Sequence, residues 1–338
     1  MSHRTNPENR KAKSNTIVQP LRCEPLLARI NPMLKGRGMQ SAKACEIGCA
    51  GSSSVLSLDP PFFTRLVADA CLPMMLKRSL LSELESLGIA WLGDPRSADD
   101  NRPQDLLDAS MNRNRIASIR LDQPIDVESL QSAAAIELQM FGVPFQTLPS
   151  SRRACWTPGF PVELSDFEQL AKKIELLRNL TGGKRPIGAA ISPGAVYEDI
   201  RFMVDSGFDF ITLLCHVQFG LSASNCLMLA PLESTVEQAV KAVQDSATQT
   251  RLLVSGNLLD GPQMFRCIQM GVSAISIDAF LVDNKPMEIV PPKETFGSVL
   301  RAYVPATSNT SFAWLQPAVK QLVEELNDCA VYAGNTSK

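Results

Sequence analysis

Short apolar runs alternate with amphipathic stretches along the second half of the chain. Four runs lack a clean alternation of apolar and polar residues, which is typical of strands buried on both faces. These runs are residues 186–191, 208–214, 251–255 and 274–278. Apolar side chains recur every three to four positions, as on one face of a helix, in residues 195–206, 235–248 and 261–270. This order of elements predicts a parallel sheet with right-handed crossovers.

The same rhythm continues upstream of this region. Four more apolar runs predict strands at residues 72–76, 88–92, 116–121 and 134–139. A helix over residues 164–180 begins with Ser165 as its N-cap and Glu168 three residues later, as in a capping box. Eight strands with intervening helices predict an α/β protein with a (β/α)8 TIM-type barrel. An open, doubly wound sheet is the alternative, because the connections after the first and third strands are short.

Three segments follow from this reading. Residues 1–59 form a flexible or irregular leader that is polar at first and then rich in glycine and serine. Residues 60–285 form the barrel, which Pro60 and Pro61 introduce. Residues 286–338 form a C-terminal extension with one helix from about residue 312 to 326.

Composition excludes several classes of partner and location. The net charge is −2, so no strong field favours nucleic acid or an anionic membrane. The sequence contains no apolar run of membrane-spanning length and no secretory signal pattern, which predicts a cytoplasmic location. The nine cysteines are expected to be reduced thiols. Cys45 and Cys49 could ligate a metal with Cys23, but no second cysteine pair or nearby histidine supports them, so no metal is predicted.

Three segments of the barrel resemble a known family. The order SDFEQLAKKIELLRNLTGGKRPIG, VYEDIRFMVDSGFDFITL and RLLVSGNLLDGPQMFRCIQMGVSAISI is similar to that of the FMN-binding synthase domain of glutamate synthases. AAIELQMFGVPF, residues 134–145, looks like a diverged version of another strand and loop of that domain. The resemblance implies a flavin-dependent oxidoreductase that acts on an amino-acid or imine substrate.

The resemblance also implies where FMN would bind. In such barrels the phosphate rests on backbone N–H groups after strands seven and eight. Ser255, Gly256 and Asn257 follow the seventh predicted strand, and Asp278 and Ala279 follow the eighth. Gly256 lets the backbone approach an anion, and Ser255 adds a hydroxyl donor. The structural alternative is an ordinary strand-to-helix turn.

Several residues depart from the family pattern. Ala190 stands where the family has a lysine, and Leu214 where it has an acidic residue. CHVQFGLSASN, residues 215–225, replaces a glycine-rich loop. Asp278 replaces a glycine, and at about 4 Å its carboxylate would oppose phosphate by roughly 4 kcal/mol per unit charge pair. Residues 282–296 contain no cysteine, so no iron–sulfur cluster is expected.

Other catalytic patterns are weak. His216 is a candidate general base at the barrel mouth, but a Cys215–His216 pair is disfavoured because adjacent strand residues point to opposite sides. Asp122, Glu137, Asp278 and Asp283 are the other acids near strand ends.

Two hypotheses therefore remain. The first is a flavin-dependent oxidoreductase with a degraded flavin site, which takes a small-molecule or anionic ligand at the barrel mouth. Ser2 rather than cysteine after Met1 predicts that the chain does not release ammonia from glutamine by itself. The second is a non-catalytic barrel that has lost FMN and serves as a binding or scaffold protein for a protein partner.

Overall fold

Strands and helices alternate through the part of the chain that the computed structural model describes. The described residues are 45–48, 55–65, 74–93, 114–120, 127–140, 167–191, 195–215, 232–246, 248–256, 258–283, 288–289, 302–303 and 312–335. The strands are β1 (Cys45–Gly48), β2 (Val55–Leu58), β3 (Phe62–Thr64), β4 (Ala90–Gly93), β5 (Arg115–Arg120), β6 (Ala135–Gln139), β7 (Ile187–Ile191), β8 (Phe210–Cys215), β9 (Arg251–Gly256), β10 (Ala274–Ser276), β11 (Glu288–Ile289) and β12 (Ala302–Tyr303). The helices are α1 (Met74–Ser86), α2 (Val127–Ser132), α3 (Phe167–Leu180), α4 (Val196–Asp205), α5 (Leu232–Gln244), α6 (Gly261–Met270), α7 (Asp278–Asp283) and α8 (Leu315–Asn335), the last preceded by a 3₁₀ turn at Phe312–Trp314.

Eight parallel strands close into a barrel. Strands β3 to β10 pair in sequence order, and β10 pairs with β3 through Ile275 opposite Phe62 and Ser276 opposite Phe63. This pairing joins the two ends of the sheet. The predicted (β/α)8 barrel is therefore confirmed, and the open-sheet alternative is wrong.

The prediction for the first barrel strand was wrong. Residues 72–76 were expected to form it, but the structure places it at β3 and begins helix α1 at Met74. Leu80, Leu81 and Leu84 of this helix are buried, which is the spacing of one helical face. A short apolar run such as LPMML does not by itself distinguish a strand from a buried helix.

A hairpin packs against the amino-terminal end of the barrel interior. Strands β1 and β2 pair antiparallel within the leader, where no strand was predicted. Their inward side chains join one apolar cluster with residues from the first three positions of the barrel strands. The cluster contains Cys45, Ile47, Leu56, Leu58, Phe63, Ala90, Leu92, Ile116, Ala135, Phe210, Leu253 and Ala274. This cluster fills the amino-terminal half of the barrel interior.

The C-terminal helix packs on the outside of the barrel against α6. Gly261, the first residue of α6, lies so close that a Cβ atom there would be 2.5 Å from Glu325 Cβ. The Gly261 backbone N–H also donates to Glu325 Oε2 at 3.1 Å. Glu325 of α8 thereby satisfies one of the donors at the start of α6. Among the described helices, none is long and apolar enough to cross a membrane.

Asp199 in the first turn of α4 allows a prediction about pH and stability. Burial, together with the adjacent Glu198 carboxylate, raises its pKa from 3.8 to about 6, and a backbone hydrogen bond at Ala195 opposes the shift. Because the folded-state pKa is raised, the contribution of this group to stability is fully present below pH 3.8 and is lost as the pH rises through about 6.

Asp199→Asn is therefore expected to stabilise the protein at pH 7.5 by about 1 kcal/mol, since partial exposure screens the unfavourable charge. At pH 4 the gain should be smaller, because most of the Asp199 carboxyl is then protonated in the folded state. Urea denaturation at the two pH values measures this difference, with Glu237→Gln at an exposed position of α5 as the control. An equal gain at both pH values would contradict it.

Candidate functional site

The carboxyl end of the barrel interior is lined by polar side chains. They occupy the positions that follow the apolar cluster at the strand spacing of two residues. These residues are Arg65, Ser118, Glu137, Gln139, Thr212, Ser255 and Ser276. Branched apolar residues usually dominate this part of a (β/α)8 barrel. A polar layer at the end where such barrels bind their ligands makes it the candidate site.

Glu137 is the centre of the first polar cluster in this layer. Its Oε1 accepts a hydrogen bond from Arg65 Nη1 at 2.6 Å, and its Oε2 accepts one from Thr212 Oγ1 at 2.6 Å. The three residues come from the end of β3, from β6 and from β8. Their side chains are almost completely buried. The contacts therefore form a charge-assisted link across the barrel interior.

Asp278 is the centre of the second cluster. Its Oδ1 accepts hydrogen bonds from Thr64 Oγ1 at 2.6 Å and from the Arg65 backbone N–H at 2.8 Å. The Asp278 backbone N–H donates to Ser276 Oγ at 3.2 Å. The carboxylate therefore joins the start of α7 to the end of β3, next to the strand pair that closes the barrel.

The residues predicted to contact a phosphate lie at the expected ends of strands. Ser255 and Gly256 are the last residues of β9, and Asp278 and Ala279 open α7 after β10. All four are buried. A Cβ atom at Gly256 would be 3.3 Å from Leu232 Cδ1 and 3.6 Å from Cys215 Cβ, so a larger residue there would require a small shift of the Leu232 side chain. Asn257 lies outside the described residues.

The two departures on β7 and β8 are also at the carboxyl end. Ala190 is in register with Gln139 and Thr212, and both Ala190 and Leu214 are buried. A charge at this end of the interior comes instead from Arg65, which was not predicted. The sequence feature that could have identified Arg65 is its position two residues after the inward-facing Phe63, at the end of the FFTR segment.

Cys215, the cysteine considered as a nucleophile, is not activated. Burial raises the pKa of the Cys215 thiol strongly, and the nearby Cys267 adds to the shift. Cys215 is therefore a neutral thiol at physiological pH. His216, its predicted neighbour and candidate base, lies outside the described residues.

Cys45 lies in an environment that disfavours its ionised form. Burial in the hairpin cluster raises the pKa of its thiol to about 11, despite the opposing charge of Arg251. Metal binding requires the thiolate, which this environment disfavours. Cys23 and Cys49 lie outside the described residues. Among the described side chains, no group of three or more His, Cys, Asp or Glu is arranged to hold a metal ion.

Sequence comparison confirms the resemblance of the second half of the barrel. Residues 153–282 match the family model described as the conserved region in glutamate synthase. A glutamate synthase large subunit-like protein from Rhizobium meliloti (strain 1021) is 28% identical over 145 residues, which are 40% of this chain and 32% of that protein. The aligned part thus covers about a third of that relative.

Solved structures of mandelate oxidase share the fold. The complex with benzoyl-formic acid has a TM-score of 0.51 and 15% sequence identity, and the alignment covers 88% of this chain and 80% of that one. The complex with (S)-4-hydroxymandelic acid has a TM-score of 0.52 and 14% identity, with 88% and 82% covered. Residues 153–282 of this chain are therefore similar to the conserved region of glutamate synthases, within a barrel that has the fold of mandelate oxidase.

Proposed function

We propose that this chain is a glutamate synthase-like FMN-barrel protein with a degraded flavin site, which acts by binding and not by electron transfer. It keeps the scaffold of a flavin-dependent oxidoreductase. Its ligand is a small molecule or anion at the barrel mouth, or a protein partner for which the barrel is a scaffold.

Two of the described strand ends lack the charged residues that the resemblance implies beside the reducible ring of FMN. A flavin ring needs protein charges or donors that tune its electronics. Ala190 and Leu214 bring apolar side chains to the positions where the resemblance implies charged ones. The Arg65 guanidinium is paired with Glu137 and compensated by it. These strand ends therefore support no electron-transfer step through FMN.

The observation that carries the proposal is the pairing of Asp278. The resemblance implies a close backbone approach to phosphate at this position, and Asp278 places a carboxylate there. Hydrogen bonds from Thr64 and from the Arg65 backbone hold this carboxylate at the closing strand pair. A carboxylate at this position opposes a dianionic phosphate at the same end of the barrel.

A retained flavin enzyme is the second candidate. It is favoured by the match of residues 153–282 and by the location of Ser255 and Gly256 at the end of β9. In that case Ser255, Gly256 and Ala279 would hold the phosphate, and FMN would supply oxidation or reduction of an amino-acid or imine substrate.

Purified protein is expected to be colourless, and FMN should not raise its Tm. A ligand that binds the folded state at 100 times its Kd would stabilise it by about 2.7 kcal/mol, a shift that thermal denaturation detects. Riboflavin, which lacks the phosphate, is the matched control ligand. A yellow protein that releases flavin on denaturation would support the second candidate and overturn the first. Stabilisation by riboflavin but not by FMN would show that the protein has lost binding only at the phosphate end of the flavin site.

A further inference from the structure

The carboxylate of Glu137 occupies a site made by donors on two other strands. Arg65 Nη1 binds one carboxylate oxygen and Thr212 Oγ1 binds the other, each at 2.6 Å. The Glu137 side chain is 1% exposed and the Arg65 side chain 6%. Arg65 reaches this point from the end of β3, which β4 and β5 separate from β6 in the sheet. Three segments that are distant in sequence thus meet at one carboxylate.

This donor set is the one with which proteins recognise carboxylate ligands. A guanidinium supplies charge to one oxygen, and a hydroxyl satisfies the other. Exclusion of water strengthens both contacts relative to the same contacts at a surface. We infer that Arg65 and Thr212 form a carboxylate-binding site at the carboxyl end of the barrel, which the chain fills with its own Glu137. When Glu137 is truncated, the chemical class of ligand that fits this site is a small monocarboxylate.

Truncation of Glu137 tests whether the donors bind a carboxylate that is not attached to the chain. Glu137→Ala removes one methylene group and the carboxylate, which together have the size of acetate. The variant retains the Arg65 guanidinium and the Thr212 hydroxyl. The truncation opens a space of this size beside two donors that bound a carboxylate, so we expect the variant to bind acetate and to be stabilised by it.

The experiment is thermal denaturation of Glu137→Ala in increasing sodium acetate, with sodium chloride at equal ionic strength and with acetamide as the neutral isostere. Acetate is expected to raise the Tm of the variant saturably while chloride and acetamide leave it unchanged. The Tm of the original protein should respond equally to acetate and chloride, because Glu137 fills the site. A variant that responds equally to acetate and chloride would overturn the inference.

The double variant Arg65→Met/Glu137→Ala is the matched control. It lacks the guanidinium, so acetate should no longer raise its Tm beyond chloride. An acetate response as large as that of Glu137→Ala would show that the effect does not come from Arg65. If Glu137→Ala does not accumulate in folded form, both variants are refolded from urea in either salt. Acetate should then increase the refolding yield of the single variant only, and equal yields in both salts would overturn the inference.

Discussion

Arg65→Met is expected to lower the free energy of unfolding by about 3–5 kcal/mol, because it leaves the buried Glu137 carboxylate without its cation. The loss comes from the unpaired charge, since methionine keeps much of the volume of the arginine stem. Only the hydrogen bond from Thr212 would remain among the two contacts described for this carboxylate. Urea denaturation at pH 7, followed by circular dichroism, measures the effect.

The matched control is Arg201→Met on the surface of α4. Arg201 Nη2 and Asp205 Oδ1 are 3.9 Å apart, and both side chains are partly exposed. This substitution should therefore lower the free energy of unfolding by no more than about 0.5 kcal/mol. Arg65→Met/Glu137→Leu removes both charges and is expected to be more stable than Arg65→Met alone. The expectation for Arg65 would be wrong if its substitution cost no more than that of Arg201.

Gly188→Ala is expected to cost about 2–3 kcal/mol through overpacking of the barrel interior. A Cβ atom at Gly188 would lie 2.2 Å from Cε2 of Phe210, which is closer than real Cβ contacts allow. The Phe210 ring is completely buried in the cluster that the hairpin closes, so it cannot move into solvent. Chemical denaturation of the variant measures the loss.

Gly48→Ala is the matched control for this substitution. No atom lies within 4 Å of a Cβ atom at Gly48, so its replacement should leave stability within about 0.5 kcal/mol. Shortening the ring side chain in Gly188→Ala/Phe210→Leu should make the pair of substitutions less costly than the sum of the two. Strict additivity would mean that the added methyl group does not meet Phe210.

The barrel was largely predictable because its strands are buried on both faces and its helices on one face. The apolar residues of the two kinds of element therefore recur in different patterns along the sequence. Strands β4 to β10 overlap the predicted apolar runs, and α6 has the predicted bounds. The first strand was missed because β3 has only three residues, too few to show a period. The hairpin was missed because β1 and β2 have four residues each and lie between segments rich in glycine and serine.

The polar contacts of the candidate site were not predictable to the same degree. Strand ends identified Ser255, Gly256, Asp278 and Ala279 as residues of the mouth. The partners of Asp278 and Glu137 were not predicted, because Thr64 is 214 positions from Asp278 and Arg65 is 72 positions from Glu137. Closure of the barrel brings these residues together, and no local spacing encodes the contact.

The sequence by itself determined the class of fold, the segment similar to glutamate synthases and the apolar residues Ala190 and Leu214 near two strand ends. These properties depend on local periodicity or on the identity of single residues. Only the tertiary structure decided that Glu137 is held by Arg65 and Thr212, and that Asp278 is bound at the closing strand pair. The physical reason is that the sequence specifies the identity of each residue, whereas the burial and the hydrogen-bond donors of a carboxylate depend on strands that meet only in the closed barrel.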